Sequence, residues 1–211
     1  IFKILTNKKI MRISIKHQES YSRSELLLRA FFGLFYIFIP HLFLLLFCAI
    51  WGSILRFIAW WVILFTGRHP ESFFEYQVNL LRWNLRFQAR ILNLSDGYPA
   101  FGLSGTDDNT TLEVPYPEKL SRGTHLLKTL FGAIYVILPH VFVLYFRSIW
   151  GMILNFLSFW SVLFTGSYPK SWHEFQVGTI RWSTRVNLYM GYMSDEYPPF
   201  SSKPDVEDKK N

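Results

Sequence analysis

The two long apolar stretches of this chain, about residues 26–66 and 125–165, contain no aspartate or glutamate. Acidic groups inside membrane-grade sequence are what proton- and ion-coupled transport requires, so their absence weighs against that class. Cysteine is nearly absent as well. Cys48 stands alone, which excludes an internal disulfide and leaves the redox compartment open. There is no glycine-rich phosphate loop, and no serine or cysteine sits in a nucleophile motif. His17, His69, His125 and His173 share no metal-ligand spacing. These absences leave no catalytic constellation, and the chain reads as non-enzymatic.

What the chain does have is apolar mass. Half of its 211 residues are hydrophobic, 19% are aromatic and only 18% are charged. Each apolar block is longer than the roughly 20 residues that one bilayer crossing needs. The expectation is an all-α integral membrane protein. The net charge of +7 is uneven. Lys3, Lys8, Lys9, Arg12, Lys16, Arg23 and Arg29 come before or at the start of the first block, and Arg68, Arg82, Arg86 and Arg90 follow it. Such flanks favour the cytoplasmic side and anionic lipid. Nucleic acid is the rival partner for basic charge. Here the arginines alternate with membrane-grade apolar residues and no recognition fold is visible, so none is expected. Ile1 to Ile10 lacks the form of a secretory signal, and Met11 reads equally as internal or as an alternative start.

The chain also repeats itself at an offset of 99. Ser22-Arg23 returns as Ser121-Arg122, Pro40-His41 as Pro139-His140, and Trp51-Gly52 as Trp150-Gly151. Leu64-Phe65-Thr66-Gly67 returns as Leu163-Phe164-Thr165-Gly166, and Arg82-Trp83 with Arg86 as Arg181-Trp182 with Arg185. Asp96, Tyr98, Pro99 and Phe101 return as Asp195, Tyr197, Pro198 and Phe200. The implied division is a basic segment 1–20, repeat one 21–101, a polar linker 102–117, repeat two 118–200 and a disordered tail 201–211.

Within each repeat, Ile13-Ser14-Ile15 and Leu112-Glu113-Val114 alternate as brief strands do. Ser22 and Ser121 suit N-caps, with Glu25 completing a capping box in the first copy only. Gly67 and Gly166 suit helix stops, and Pro70 and Pro169 suit the first turn of the next helix. That next helix, about 70–93 and 169–192, is apolar with a basic stripe. This pattern predicts placement in the headgroup plane, with packing on protein as the alternative.

Positive flanks on both sides of both blocks imply that the copies share one orientation. Each copy then crosses the bilayer an even number of times. The expectation is a helical hairpin per repeat, with tips near Trp51-Gly52-Ser53 and Trp150-Gly151-Met152, where Arg56, Arg147 and Asn155 reach headgroups. The competing arrangement breaks the helix at Pro40 and Pro139 and runs one long span to Gly67 and Gly166.

Two repeated sets of residues could carry chemistry. His41 and His140 could ligate a haem or a metal from equivalent positions. Alternatively, each bonds the carbonyl freed by its own proline or lies near a headgroup. Arg82, Arg86, Arg181 and Arg185 could hold lipid phosphates. Alternatively, they pair with Asp96 and Asp195.

The order Ser-Arg, Pro-His, Leu-Phe-Thr-Gly with Tyr-Pro, Arg-Trp-x-x-Arg and Asp-x-Tyr-Pro-Pro-Phe resembles an uncharacterised bacterial membrane family, a domain of unknown function of the DUF4389 type. Copy two carries the full pattern. Copy one departs from it at His69, before Pro70, and at Ala100, in place of the second proline. The resemblance implies a bacterial membrane module and no particular activity.

The expected protein is therefore a multi-pass component of the bacterial inner membrane with a cytoplasmic N-terminus. It is an accessory or scaffold subunit that touches membrane lipids and packs against other integral membrane subunits or a second copy of itself. A lipid-handling or small-solute transport protein is the alternative from another class. A haem- or metal-binding subunit through His41 and His140 is the third.

Overall fold

Two serines begin the long helices where the sequence places them. Ser22 Oγ accepts from the Glu25 N–H at 3.3 Å and opens α1, Arg23–Gly33. Its own N–H donates to Asp96 at 2.7 Å, and the Glu25 carboxylate accepts from Gly97 instead, so no capping box closes. In the computed structural model, which describes residues 11–204, α1 runs through a π-helical turn, Leu34–Phe38, into α2, Ile39–Thr66. The reading of residues 1–10 as no secretory signal lies outside the described residues, as does all of the tail read as disordered over 201–211 except residues 201–204, where Ser201 and Lys203 bond Arg185. α3, Glu71–Ile91, then returns along α2. The second copy repeats the order. Ser121 caps α4, Arg122–Gly132, and a π-helical turn at Ala133–Ile137 leads into α5, Leu138–Thr165. α6, Lys170–Met190, follows.

Each repeat therefore has one continuous apolar helix of 44 residues and no hairpin. The expected tips fail because Gly52 and Gly151 serve another purpose. Gln77 Nε2 donates to the Gly52 carbonyl, and Gln176 Nε2 donates to the Gly151 carbonyl at 2.6 Å. A Cβ at Gly151 would sit 3.0 Å from Gln176. Glycine marks the close approach of the return helix. The expected break at the prolines is also absent. Each π-helical turn ends just before Ile39-Pro40 or Leu138-Pro139, and its wider i→i+5 geometry lets the helix pass the missing donor. Both long helices stop as expected, at Gly67 with φ 69° and Gly166 with φ 72°. Pro70 and Pro169 are the residues just before α3 and α6.

The alternating segments form real strands, so the fold is mostly helical rather than all-α. β1, Arg12–Ile15, pairs antiparallel with β2, Thr110–Glu113. Ile13 lies opposite Leu112, its own equivalent 99 residues on. A pseudo-twofold axis passes through this pair, and bonds between the copies come in reciprocal sets. The Tyr21 N–H donates to the Gly166 carbonyl, and the Leu120 N–H to the Gly67 carbonyl, both at 2.8 Å. Arg23 bonds the Phe164 carbonyl at 3.2 Å, and Arg122 the Phe65 carbonyl at 2.6 Å. The start of each long helix thus meets the end of the other, and the two run antiparallel. The repeats clasp each other, and the segment read as a linker supplies a strand of the clasp.

The core gathers Leu26, Phe74, Val78, Leu85, Ala89, Val177, Ile180 and Leu188 with Ile13 and Leu112. Among the described residues, exposed large apolar side chains crowd α1, α2, α4, α5 and the π-helical turns, and none lies on α3 or α6. The return helices pack on protein.

Candidate functional site: two histidine cages and an arginine frame

Pro40 and Pro139 cannot donate to the carbonyls four residues back, those of Tyr36 and Tyr135. The Tyr98 hydroxyl donates to the Tyr36 carbonyl at 2.9 Å, and the Tyr197 hydroxyl to the Tyr135 carbonyl at 3.0 Å. The Tyr-Pro motif after each return helix therefore serves the proline inside each long helix. The histidines do not fill this role, contrary to one sequence reading.

His41 and His140 are fully buried in matching cages. Trp83 Nε1–H donates to His41 Nδ1, and Trp182 Nε1–H to His140 Nδ1, each at 2.9 Å. Phe101 stacks on His41 at 3.9 Å and 8°, and Phe200 on His140 at 3.9 Å and 10°. An indole N–H is only a donor, so each Nδ1 accepts and the neutral ring carries its proton on Nε2. Each Nε2 is buried with no hydrogen-bond partner among the described residues. A haem iron or metal held through Nε2 needs a lone pair there and the proton on Nδ1, where the tryptophan already points. The cage as folded does not fit a ligating histidine.

The four repeated arginines frame the loops and the ladder. Arg82 bonds the Leu112 carbonyl and Arg181 the Ile13 carbonyl, both at 3.0 Å, a reciprocal pair on the axis. Arg86 clasps the carbonyls of Ala100 and Gly102, and Arg185 those of Ser201 and Lys203. Arg86, Arg181 and Arg185 are buried, while Arg82 is exposed. The alternative pairing with Asp96 and Asp195 does not form. Asp96 meets Arg29 and Asp195 meets Lys128, each at 3.0 Å, and the two aspartates bond the N–H groups of Ser22 and Ser121. Each aspartate thus ties a helix start to a cation about two turns further in.

Arg56 and Arg147 turn inward rather than toward headgroups. Arg56 bonds Gln77 at 3.3 Å, and Arg147 bonds Thr179 while lying 4.2 Å from the Phe175 ring centroid.

Asp107 was missed in the linker. It takes both terminal nitrogens of Arg90, at 2.6 and 3.0 Å, and bonds Thr110 and the Asn109 N–H. Burial alone would raise its carboxyl pKa, but these donors outweigh it and hold the group below its ordinary value. No sequence signal marked it, because copy two has no counterpart. The roles of Trp83 and Trp182 were also missed, although their recurrence at the offset of 99 was the available signal.

Two of the unmatched histidines, His17 and His173, meet across the repeats. His17 and His173 rings lie 5.0 Å apart, with His17 Nε2 against the Tyr168 carbonyl at 2.7 Å and His173 Nε2 toward the Leu94 carbonyl at 3.3 Å. Burial, with a smaller push from His17, lowers the His173 pKa to about 4.

A model of a domain of unknown function, DUF4389, matches residues 23–102 and again 127–202. No curated protein and no solved structure is matched.

Proposed function

We propose, from the premise that this chain belongs to the DUF4389 family and carries its domain twice, that it is a non-catalytic scaffold embedded in a bacterial inner membrane. It packs against other integral membrane subunits or a second copy of itself and holds lipid around them. One observation carries the reading. The repeated polar residues that could have done chemistry bond one another or the backbone, while the long helices keep a continuous apolar surface turned outward. A surface of that extent calls for lipid or protein as its neighbour.

Mild-detergent purification with native mass spectrometry tests this. The scaffold reading expects a stoichiometric partner subunit or a discrete oligomer, with no Soret band and no bound metal. A lone monomer that moves lipid between vesicles overturns it in favour of lipid handling. That second reading draws on a cavity of about 390 Å³ between α2, α3 and α6, lined in part by Ser53, Arg56, Gln77, Asn84 and Asn187. Its size and polar lining suit a headgroup or a small solute.

A further inference from the structure

The geometry points to long helices that lie flat in a single leaflet, with the pseudo-twofold axis along the membrane normal, so that the chain crosses the bilayer nowhere. The occupant of the apolar surface is then the hydrocarbon of one leaflet of an anionic bilayer. This inference rests on the membrane reading above and goes beyond it.

Length is the first argument. Exposed large apolar residues run from Leu27 to Phe65 in the first copy. At helical rise that band is about 57 Å long, against a hydrocarbon core of about 30 Å. A straight spanning helix would have to tilt by about 58° to bury it, beyond the 0–40° that spanning helices adopt.

Symmetry is the second argument. The two long helices are antiparallel, and the Ile13–Leu112 pair lies on the axis that relates them. Whatever orientation the molecule takes, that pair is equidistant from the two ends. If the helices spanned, the strand ladder would sit at the bilayer midplane. Arg12 and Glu113, with side chains 47% and 60% exposed, would sit there too, with exposed Lys16 and Asp108 close by in the chain. Charged groups at the midplane are disfavoured on every insertion scale.

Laid flat, the same molecule meets neither difficulty. A helix about 10 Å across fits within one leaflet, half of that roughly 30 Å core. α3, α6 and the strand ladder, which carry the polar surface, then face the headgroups and water. Exposed Arg23 and Lys170 at one junction of the long helices, beside Glu19, and Arg68, Lys119 and Arg122 at the other, beside Glu71 and Glu118, come to one side, where the excess of cations suits anionic headgroups. The parity demanded by the repeated positive flanks is met as well, since zero crossings is an even number.

Thiol labelling decides between the arrangements. The natural cysteine is removed as Cys48→Ala. Single thiols are then placed at exposed sites beside one junction, Glu19→Cys and Ser171→Cys, and beside the other, Ser72→Cys and Glu118→Cys. Oriented membrane vesicles are treated with an impermeant maleimide. The flat arrangement expects all four sites to react from the same face. Reaction of the two junctions from opposite faces overturns it and leaves the membrane reading intact. Release of the unmodified chain from membranes by alkaline carbonate overturns both. Spin labels at Leu28→Cys, Leu46→Cys and Phe65→Cys provide an independent measure of depth. One common depth is expected, and a progression from surface to midplane and back contradicts the inference.

Discussion

The Tyr98 hydroxyl donates to the Tyr36 carbonyl at 2.9 Å, across 62 residues of chain, at the oxygen to which Pro40 cannot donate. Tyr197 and Tyr135 repeat the arrangement at 3.0 Å beside Pro139. Proline and tyrosine recur together in the two copies because one answers the other. A Tyr98→Phe variant should lose about 1 kcal/mol of stability, the usual net value of one hydrogen bond. Restoring a backbone donor with Pro40→Ala should shrink that loss. Thermal unfolding in detergent of the two single variants and the double variant measures the coupling, and strictly additive effects contradict the assignment.

Trp83 and His41 form a second pair of this kind, with Trp182 and His140 as its copy. Trp83→Phe removes the donor and leaves both nitrogens of a buried imidazole with no partner among the described residues. The expected cost is about 1–3 kcal/mol. In a His41→Leu background the same substitution should cost distinctly less. Equal costs in both backgrounds would sink the proposed bond.

Arg90 and Asp107 are joined through two short bonds in a site from which water is largely excluded. Asp107→Ala leaves a buried guanidinium uncompensated, at an expected cost of about 3–5 kcal/mol. An Arg90→Met, Asp107→Leu double variant should recover much of that loss. Chemical denaturation reads both, and a mild effect of the single variant contradicts the pairing.

Acid should weaken the fold through histidines buried in their neutral form. His173 is buried in its neutral form with a pKa near 4, against an ordinary 6.5. Between those values the unfolded chain binds a proton that the folded chain refuses, so stability is full above pH 6.5 and falls as the pH drops toward 4. Burial lowers His69 in the same direction, which adds to the slope. From His173 alone the loss is roughly 3 kcal/mol. Unfolding midpoints between pH 7 and pH 4 should show the decline, and His173→Gln should flatten it.

Much of the architecture is legible in the amino-acid sequence. Serine caps, glycine stops and short alternating strands are set by a residue's immediate neighbours, and they appear at Ser22, Gly67 and Ile13 as read. The site was legible only in its membership. His41, Trp83, Arg86, Asp96 and Tyr98 were picked out by recurrence, yet their partners were assigned wrongly or not at all. Several donors and acceptors recur at the same offset, and spacing along the chain does not rank them. Asp96 sits ten residues from Arg86 and pairs instead with Arg29.

From the sequence came the two copies, a long apolar block and a return helix in each, and the positions that recur in both. These follow from periodicity, capping chemistry and recurrence, all of which act locally or by comparison of one half with the other. Folding in three dimensions settled that the helices run unbroken past their prolines, that the copies clasp antiparallel about Ile13 and Leu112, and that the arginines hold backbone carbonyls. One cause underlies all three. A missing backbone donor, an unpaired strand edge and a buried guanidinium each need a partner, and that partner lies tens to more than a hundred residues away.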